Sequence, residues 1–401
     1  MAGTSQVVLS PSRGRSWFRR DVAVSLLLGV MIAQAVLLGV NMADQFSHPF
    51  GPVDWWTYFS SVSMLQAGHG QSLYDVPSLS AFQHSLGRET AVVYPYHPTF
   101  LLIAYPFVLL GPSLSYSGWV LFNLALMAGC LRVLAGALVP RADWRLFFLL
   151  VAASLPVYIA LSTGQSSFVV CLGLTLLTIG MLRDSNLAIA SGLVILLIKP
   201  QYIPVWLILI LWRRKFRAIA WAATGGLVVL AASYVMVGAR GLADYVRLLV
   251  SGPLSGAYSL SHTLNGLAHD VAPAGVAIYI YLLLSAVALG VYILLLKRAG
   301  HDLEPRITLS FTILVSMLVA NYLVIYDLTI WAIPLALLWP AAASTRGKVV
   351  LSLAMIAPWV TQMAAQYGVG FVWPTVGLEI LVLVLLYRRH RRDGPVYALV
   401  S

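Results

Sequence analysis

The chain contains few residues able to do acid–base chemistry, and the most conspicuous is Asp54. It stands in Gly51-Pro52-Val53-Asp54-Trp55-Trp56-Thr57-Tyr58, a carboxylate after a Gly-Pro turn and before a run of aromatic rings. There are only fourteen acidic residues, so a base can be sought by elimination. Asp21, Asp143, Asp184, Asp302, Glu304 and Asp393 fall near predicted cytosolic ends, and Glu379 lies within an apolar run, where it reads as a structural hydrogen-bonding group. Asp44, Asp54, Asp75, Glu89, Asp244, Asp270 and Asp327 remain on the other side. Among these, Asp54 has neighbours suited to a partly desolvated pocket, which would raise its pKa towards that of a general base. The same position also suits the N-cap of a helix over 55–66, a role that aspartate favours.

Lys199 is the second anomaly. The other three lysines, Lys215, Lys297 and Lys348, sit in basic clusters, whereas Lys199 ends an apolar run in Lys199-Pro200-Gln201. A charge at membrane depth costs about 2.5–3.5 kcal/mol on insertion scales, which marks such a residue as functional by default. An ammonium near the outer leaflet can hold a phosphate as a point charge, or it can snorkel to the interface. Six of the eight histidines (His48, His69, His84, His97, His262 and His269) share the outer side. None has close ligand spacing and carboxylates are sparse, so no metal centre is expected. Tyr258 to Asn265 is dense in hydroxyl, imidazole and amide groups and suits sugar or phosphate binding, although loops are often polar for no such reason.

The elements that must position these residues are membrane spans. Of 401 residues, 60% are hydrophobic and 10% charged, far below the roughly 25% charge of a soluble protein. The net charge of +11 resides in short clusters beside apolar runs, such as Arg13/Arg15/Arg19/Arg20 and Arg213-Arg214-Lys215 with Arg217. That is the pattern that orients membrane helices, and it requires no nucleic acid. Cys130 and Cys171 both lie in apolar segments and imply no disulfide. The first run, Val22 to Val40, reads as a retained anchor with the N-terminus in the cytosol.

A polar loop over about 41–97 follows, within which Thr57 to Gln66 is expected to form an amphipathic helix on the membrane surface. Thr99 to Leu110 is too short to cross a core of about 30 Å. Further spans are expected near 115–138, 146–161, 165–182, 186–199, 201–212 and 217–237. After a second polar loop, about 238–275, others are expected near 276–296, 306–321, 328–342, 348–366 and 372–388. Lys199-Pro200 interrupts 186–212, as in a broken helix that lines a cavity. If 99–110 is re-entrant, Arg141, Arg145, Arg183 and Arg213 to Arg217 all fall inside, giving about twelve spans with both termini cytosolic. The first loop, Gly164-Gln165, Lys199-Pro200-Gln201, the 238–275 loop and Tyr326-Asp327 then all face outward.

In this order the motifs resemble a family. The chain is similar to bacterial polyprenol-phosphate-mannose-type glycosyltransferases of family 87, with the all-helical GT-C membrane fold. The resemblance rests on Asp54 with its aromatics, Leu73-Tyr74-Asp75, Tyr94-Pro95-Tyr96-His97-Pro98-Thr99, Ser162-Thr163-Gly164-Gln165 and Lys199-Pro200-Gln201. It continues through Ser259-Leu260, Leu264-Asn265-Gly266-Leu267 and Tyr326-Asp327-Leu328. The usual family pattern is closer to Tyr-Pro-Pro; here Tyr96-His97 precedes Pro98. Some relatives carry a histidine near Tyr326-Asp327, which this chain lacks.

The resemblance implies a single integral-membrane domain over 1–401 in the bacterial plasma membrane, its active site facing the exterior. The donor would be a polyprenyl-phosphate sugar used as co-substrate, with no other cofactor, and the acceptor a glycolipid or glycan. Asp54 would be the base. Lys199, Gln201 and His97 would hold the donor phosphate, and Trp55, Tyr58, Tyr96, Gln165, Tyr258, His262, Asn265 and Asp327 would bind substrate. Two other classes remain open: a polyprenyl-lipid or solute transporter, which predicts paired broken helices in symmetric halves, and a non-catalytic subunit of an envelope-glycan assembly complex.

Overall fold

The computed structural model describes residues 13–44, 51–88, 91–251, 261–299 and 304–340, with isolated positions between 351 and 385. Tyr258, Glu379, Glu89 and His48 lie outside the described residues, as do most of the spans expected at 348–366 and 372–388. All regular structure among the described residues is helical.

The chain begins with α1 (Arg13–Asp44). The first loop holds α2 (Val53–Gln66), α3 (Val76–Ser85) and α4 (Phe100–Val108), and α5 (Pro112–Leu138) follows. Then come α6 (Trp144–Ala152), α7 (Leu155–Thr163), α8 (Ser167–Leu182), α9 (Asn186–Ile195), α10 (Ile203–Trp212) and α11 (Phe216–Ser251). The last elements are α12 (Leu264–Val271), α13 (Ala274–Ala299), α14 (Pro305–Leu318) and α15 (Ala332–Leu338).

Helix length among the described residues does not by itself establish the expected count of about twelve spans. Among the described residues, four helices are long and apolar enough to cross a membrane: α1, α5, α11 and α13. A fifth span arises if the bent pair of α6 and α7, which turn by 51°, counts as one. α8, α10 and α14 are shorter apolar helices of the interior. α1, α11 and α13 expose apolar side chains such as Leu26, Val36, Leu227, Val235, Tyr279 and Leu283, as lipid-facing helices do, whereas α14 and α15 are buried nearly all round.

Two further expectations change. α2 is not a surface-lying amphipathic helix: Trp55 to Val62 and Met64 are all buried, because its aromatic residues pack against α4 and α5. Nor is Asp54 an N-cap. Pro52 occupies that position, and Asp54 sits inside the first turn, where the helix dipole favours a negative charge. By contrast, α4 has nine residues, spans only about 14 Å at 1.5 Å per residue, and cannot cross. The boundary expected at 238 is a break: Gly238 (φ 65°, ψ −178°) divides α11 into its apolar span and an arm reaching Ser251.

Candidate active site

Asp54 is positioned by the way α2 meets α5. Trp55 donates from Nε1 to Ser115 Oγ at 3.0 Å and stacks on Trp119 with ring centroids 5.4 Å apart. Tyr58, one turn on, is fully buried with its ring edge-on to Tyr96, Phe100 and Trp119. Both residues, expected to bind substrate, form the aromatic packing that fixes Asp54, and neither lies on the wall of the cavity described below. α5 also braces the turn after α7. Tyr116 OH donates to the carbonyls of Leu161 and Ser162, each at 2.9 Å, and Trp119 Nε1 donates to Gly164 O at 2.8 Å.

Gly164 ends α7 in the left-handed region (φ 78°), and a β-carbon there would lie 2.8 Å from Trp55 Cβ. Only glycine meets both demands without strain. This close approach brings Thr163 and Gln165 to the Asp54 side chain. Gln165 is fully buried, and its Oε1 accepts a 2.9 Å bond from Tyr96 OH, which leaves the amide NH2 for the carboxylate. That NH2 has no partner of standard geometry, yet it lies close enough to Asp54 to lower its pKa. The net shift is upward. Burial dominates and outweighs the hydrogen bonding from Gln165 and Thr163 and the Lys199 charge, while the Asp327 charge adds to the rise.

Lys199 lies at the break between α9 and α10, with φ −133° and ψ 79° between two single turns of tighter helix. Proline at 200 lacks an N–H and excludes the helical region for the residue before it. The ammonium is buried and ion-paired: Nζ lies 2.6 Å from Asp327 Oδ1, which also accepts Ser167 Oγ at 3.0 Å. The rings of Tyr326 and Tyr96 have their centroids 5.2 and 5.9 Å from Nζ, within cation–π range.

The span after α14 is unwound over 319–324, and its exposed backbone groups find partners elsewhere. Gln201 Nε2 donates to Tyr322 O (3.3 Å), Asn265 Nδ2 to Asn321 O (2.7 Å) and Tyr281 OH to Val319 O (2.8 Å). The Leu323 N–H donates to Ser261 Oγ at 2.9 Å, and the His262 N–H to Leu323 O at 2.6 Å. Irregular backbone at membrane depth requires such partners. Within the second polar loop, residues 261–265 therefore clamp a backbone segment and do not line the cavity.

A cavity of about 560 Å³ joins these parts. Asp54, Thr57, Tyr96, Lys199 and Gln201 lie on its wall together with Tyr245, Tyr281, Asn321, Tyr322 and Tyr326. Of the expected site residues, Gln165 and Asp327 stand one layer behind it. His97 is also off the wall: its Nδ1 is 2.9 Å from Thr99 Oγ1, its ring is edge-on to Tyr245, and burial pushes its pKa down to about 4. His262 is buried and likewise pushed down to about 4. At neutral pH neither carries a charge for a phosphate. Among the described residues, no three His, Cys, Asp or Glu side chains gather as a possible metal centre.

Sequence reasoning named Tyr96 but missed Tyr245, Tyr281 and Tyr322 of the tyrosine wall. Tyr245 is carried by the arm of α11, which docks where Gly70 packs against the Met236 carbonyl beside the Gly238 break. Its ring rests on Tyr74, with centroids 5.0 Å apart. The buried positions Gly241, Tyr245 and Leu248, flanked by Arg240, Asp244 and Arg247, are an amphipathic pattern that could have marked the arm. Tyr322 carried no such signal, because it lies on unwound backbone.

The fold and site together define a membrane protein, all-helical among the described residues, with a buried carboxylate and an ion-paired lysine on a cavity formed at helix breaks. The chain belongs to glycosyltransferase family 87, which it matches over residues 94–324. That match takes in Tyr96, Lys199, Gln201 and Tyr245, starts after Asp54 and ends before Tyr326 and Asp327. No curated protein and no solved structure matches the chain.

Proposed function

We propose that this glycosyltransferase is an inverting enzyme of the bacterial plasma membrane. It moves a hexose, mannose by first choice, from a polyprenyl-phosphate carrier to a hydroxyl of a glycan or glycolipid on the outer face. The observation that carries this reading is the meeting of Asp54 and Lys199, brought from distant parts of the chain, on one cavity wall lined with tyrosines. Asp54 takes the proton of the acceptor hydroxyl as its oxygen bonds to the anomeric carbon. The bond from that carbon to the phosphate oxygen breaks, and the polyprenyl phosphate leaves with the electron pair.

A phosphate departs without a general acid, so a single carboxylate suffices where a glycosidase needs two. The Lys199 ammonium has three N–H donors and spends one on Asp327, which leaves two for the departing phosphate. Gln201 stands beside it on the wall. A cavity of this size with an aromatic lining and a few convergent polar groups suits a small glycan.

The test is transfer by the purified protein in lipid vesicles from radiolabelled polyprenyl-phosphate sugars. Asp54→Asn should lower the rate by about 10²–10⁴, the usual worth of a positioned base, with donor binding retained; full activity would sink the assignment. Because the base works deprotonated and its pKa is raised above the ordinary 3.8, the rate should fall as pH drops through that raised value. A profile flat to pH 4 would contradict it.

A further inference from the structure

We propose that Asp327 is a positioning residue that acts through Lys199: it holds the ammonium on the cavity wall and away from Asp54, and touches no substrate. This rests on the reading that Lys199 faces the donor phosphate. Asp327 has no exposed surface and is absent from the cavity wall, so a bound sugar or phosphate does not reach it. Its Oδ1 is the point on which Lys199 Nζ (2.6 Å) and Ser167 Oγ (3.0 Å) converge. Asp327 opens the segment after the unwound stretch and Ser167 opens α8, so the anchor belongs to two elements of the interior and not to the loop that carries the base.

The anchor is needed because the cavity wall carries a carboxylate of its own. A lysine side chain has a flexible four-carbon stem, and Asp54 is the acidic group on the wall that Lys199 shares. Released from Asp327, the ammonium would pair with Asp54 and stabilise its ionised form, which makes it a weaker base. Asp327 prevents this by offering a closer, fully buried partner, while the Tyr96 and Tyr326 rings flank the ammonium. The pair also brings no net charge to the site, so Asp54 keeps the character that its burial gives it. The titratable groups that face Asp54 are Lys199, Asp327, Tyr58, Tyr96 and Tyr326; the Lys199 charge lowers its pKa and the Asp327 charge raises it.

The test is a charge cycle of Asp327→Asn, Lys199→Met and the double variant, with two readouts. The first needs no substrate: infrared titration of the Asp54 carboxyl band, assigned by its loss in Asp54→Asn. Its half-protonation pH should fall in Asp327→Asn, rise in Lys199→Met and lie between the two in the double variant. The second is steady-state transfer. Asp327→Asn should lower kcat by about 10²-fold, the cost of misplacing a positioning group, and the double variant should be no slower than Lys199→Met alone, with donor KM high in both, because Asp327 acts only through Lys199.

An unmoved Asp54 titration in Asp327→Asn, or a double variant clearly slower than Lys199→Met, would overturn the proposal. If Asp327→Asn does not fold, the double variant, which removes both charges, and Asp327→Glu supply the same comparison. Failure of the donor assignment shows separately, as unchanged donor KM in Lys199→Met despite a shifted infrared titration.

Discussion

Gly164→Ala tests the geometry of the base with one methyl group. Two costs add at this position. A residue with a β-carbon in the left-handed region loses about 1–2 kcal/mol. The new carbon would also lie 2.8 Å from Trp55 Cβ and 3.3 Å from the Trp55 backbone nitrogen. Trp55 is stacked on Trp119 and bonded to Ser115, so it has little room to retreat, and overpacking of a fixed neighbour typically costs about 1–3 kcal/mol. The expected destabilisation is about 2–5 kcal/mol. If the fold survives by parting the Gly164 turn from α2, Gln165 and Thr163 withdraw from Asp54, and a shift near 1 Å at a catalytic group can cost about 10²-fold in rate.

The assay is thermal unfolding in detergent alongside transfer activity. Gly164→Asn serves as the control: asparagine tolerates the left-handed region but brings the same β-carbon, so it separates backbone strain from the clash. An alanine variant with native stability and native rate would refute the close approach of the 163–165 turn to α2, and with it the route by which Gln165 meets Asp54.

Other outcomes follow from the same contacts. Tyr96→Phe removes the hydroxyl that orients Gln165 but keeps the ring beside Lys199, so kcat should fall while donor KM holds; equal effects on both would count against the orienting role. Asn265→Ala leaves the Asn321 carbonyl without its 2.7 Å partner. Asn321 is exposed to the cavity, where water can replace the lost partner, so the cost should be about 0.5–1.5 kcal/mol, the net worth of a single hydrogen bond, as read by denaturation. Burial holds His262 near a pKa of about 4, below the 6.5 of an unfolded chain. Between these values the unfolded state binds a proton that the folded state refuses. His262 therefore makes the protein less stable as pH falls from 6.5 to 4, by about 1.4 kcal/mol per unit. His262→Gln should flatten the pH dependence of unfolding in that window, and an unchanged slope would contradict the burial.

Much of the organisation was legible in the chain. A gap in an apolar run shows as a proline, so Lys199-Pro200 marked one break that frames the cavity; the break at Gly238 falls where a polar loop was expected to begin. The shortness of α4 followed from a count of residues. Misreadings came where one residue type serves two environments. The aromatics of α2 looked like one face of a surface helix, although both faces are buried, because periodicity does not reveal a partner on the far side. The sequence leaves 258–265 open between a sugar or phosphate site and an ordinary polar loop; its described part, 261–265, bonds unwound backbone, because hydroxyls and amides suit sugars and backbone equally well.

The membrane class and the family resemblance were readable from the sequence alone, and it marked Asp54 and Lys199, which the fold brings to one cavity. Those properties belong to composition and to local order. Only the tertiary structure decided that Lys199 is paired and not free, that Asp327 lies behind the wall, and that five tyrosines from separate elements face one cavity. Such facts depend on distances between residues far apart in the chain. An ion pair between positions 199 and 327 forms only when a break in one span meets an unwound stretch in another.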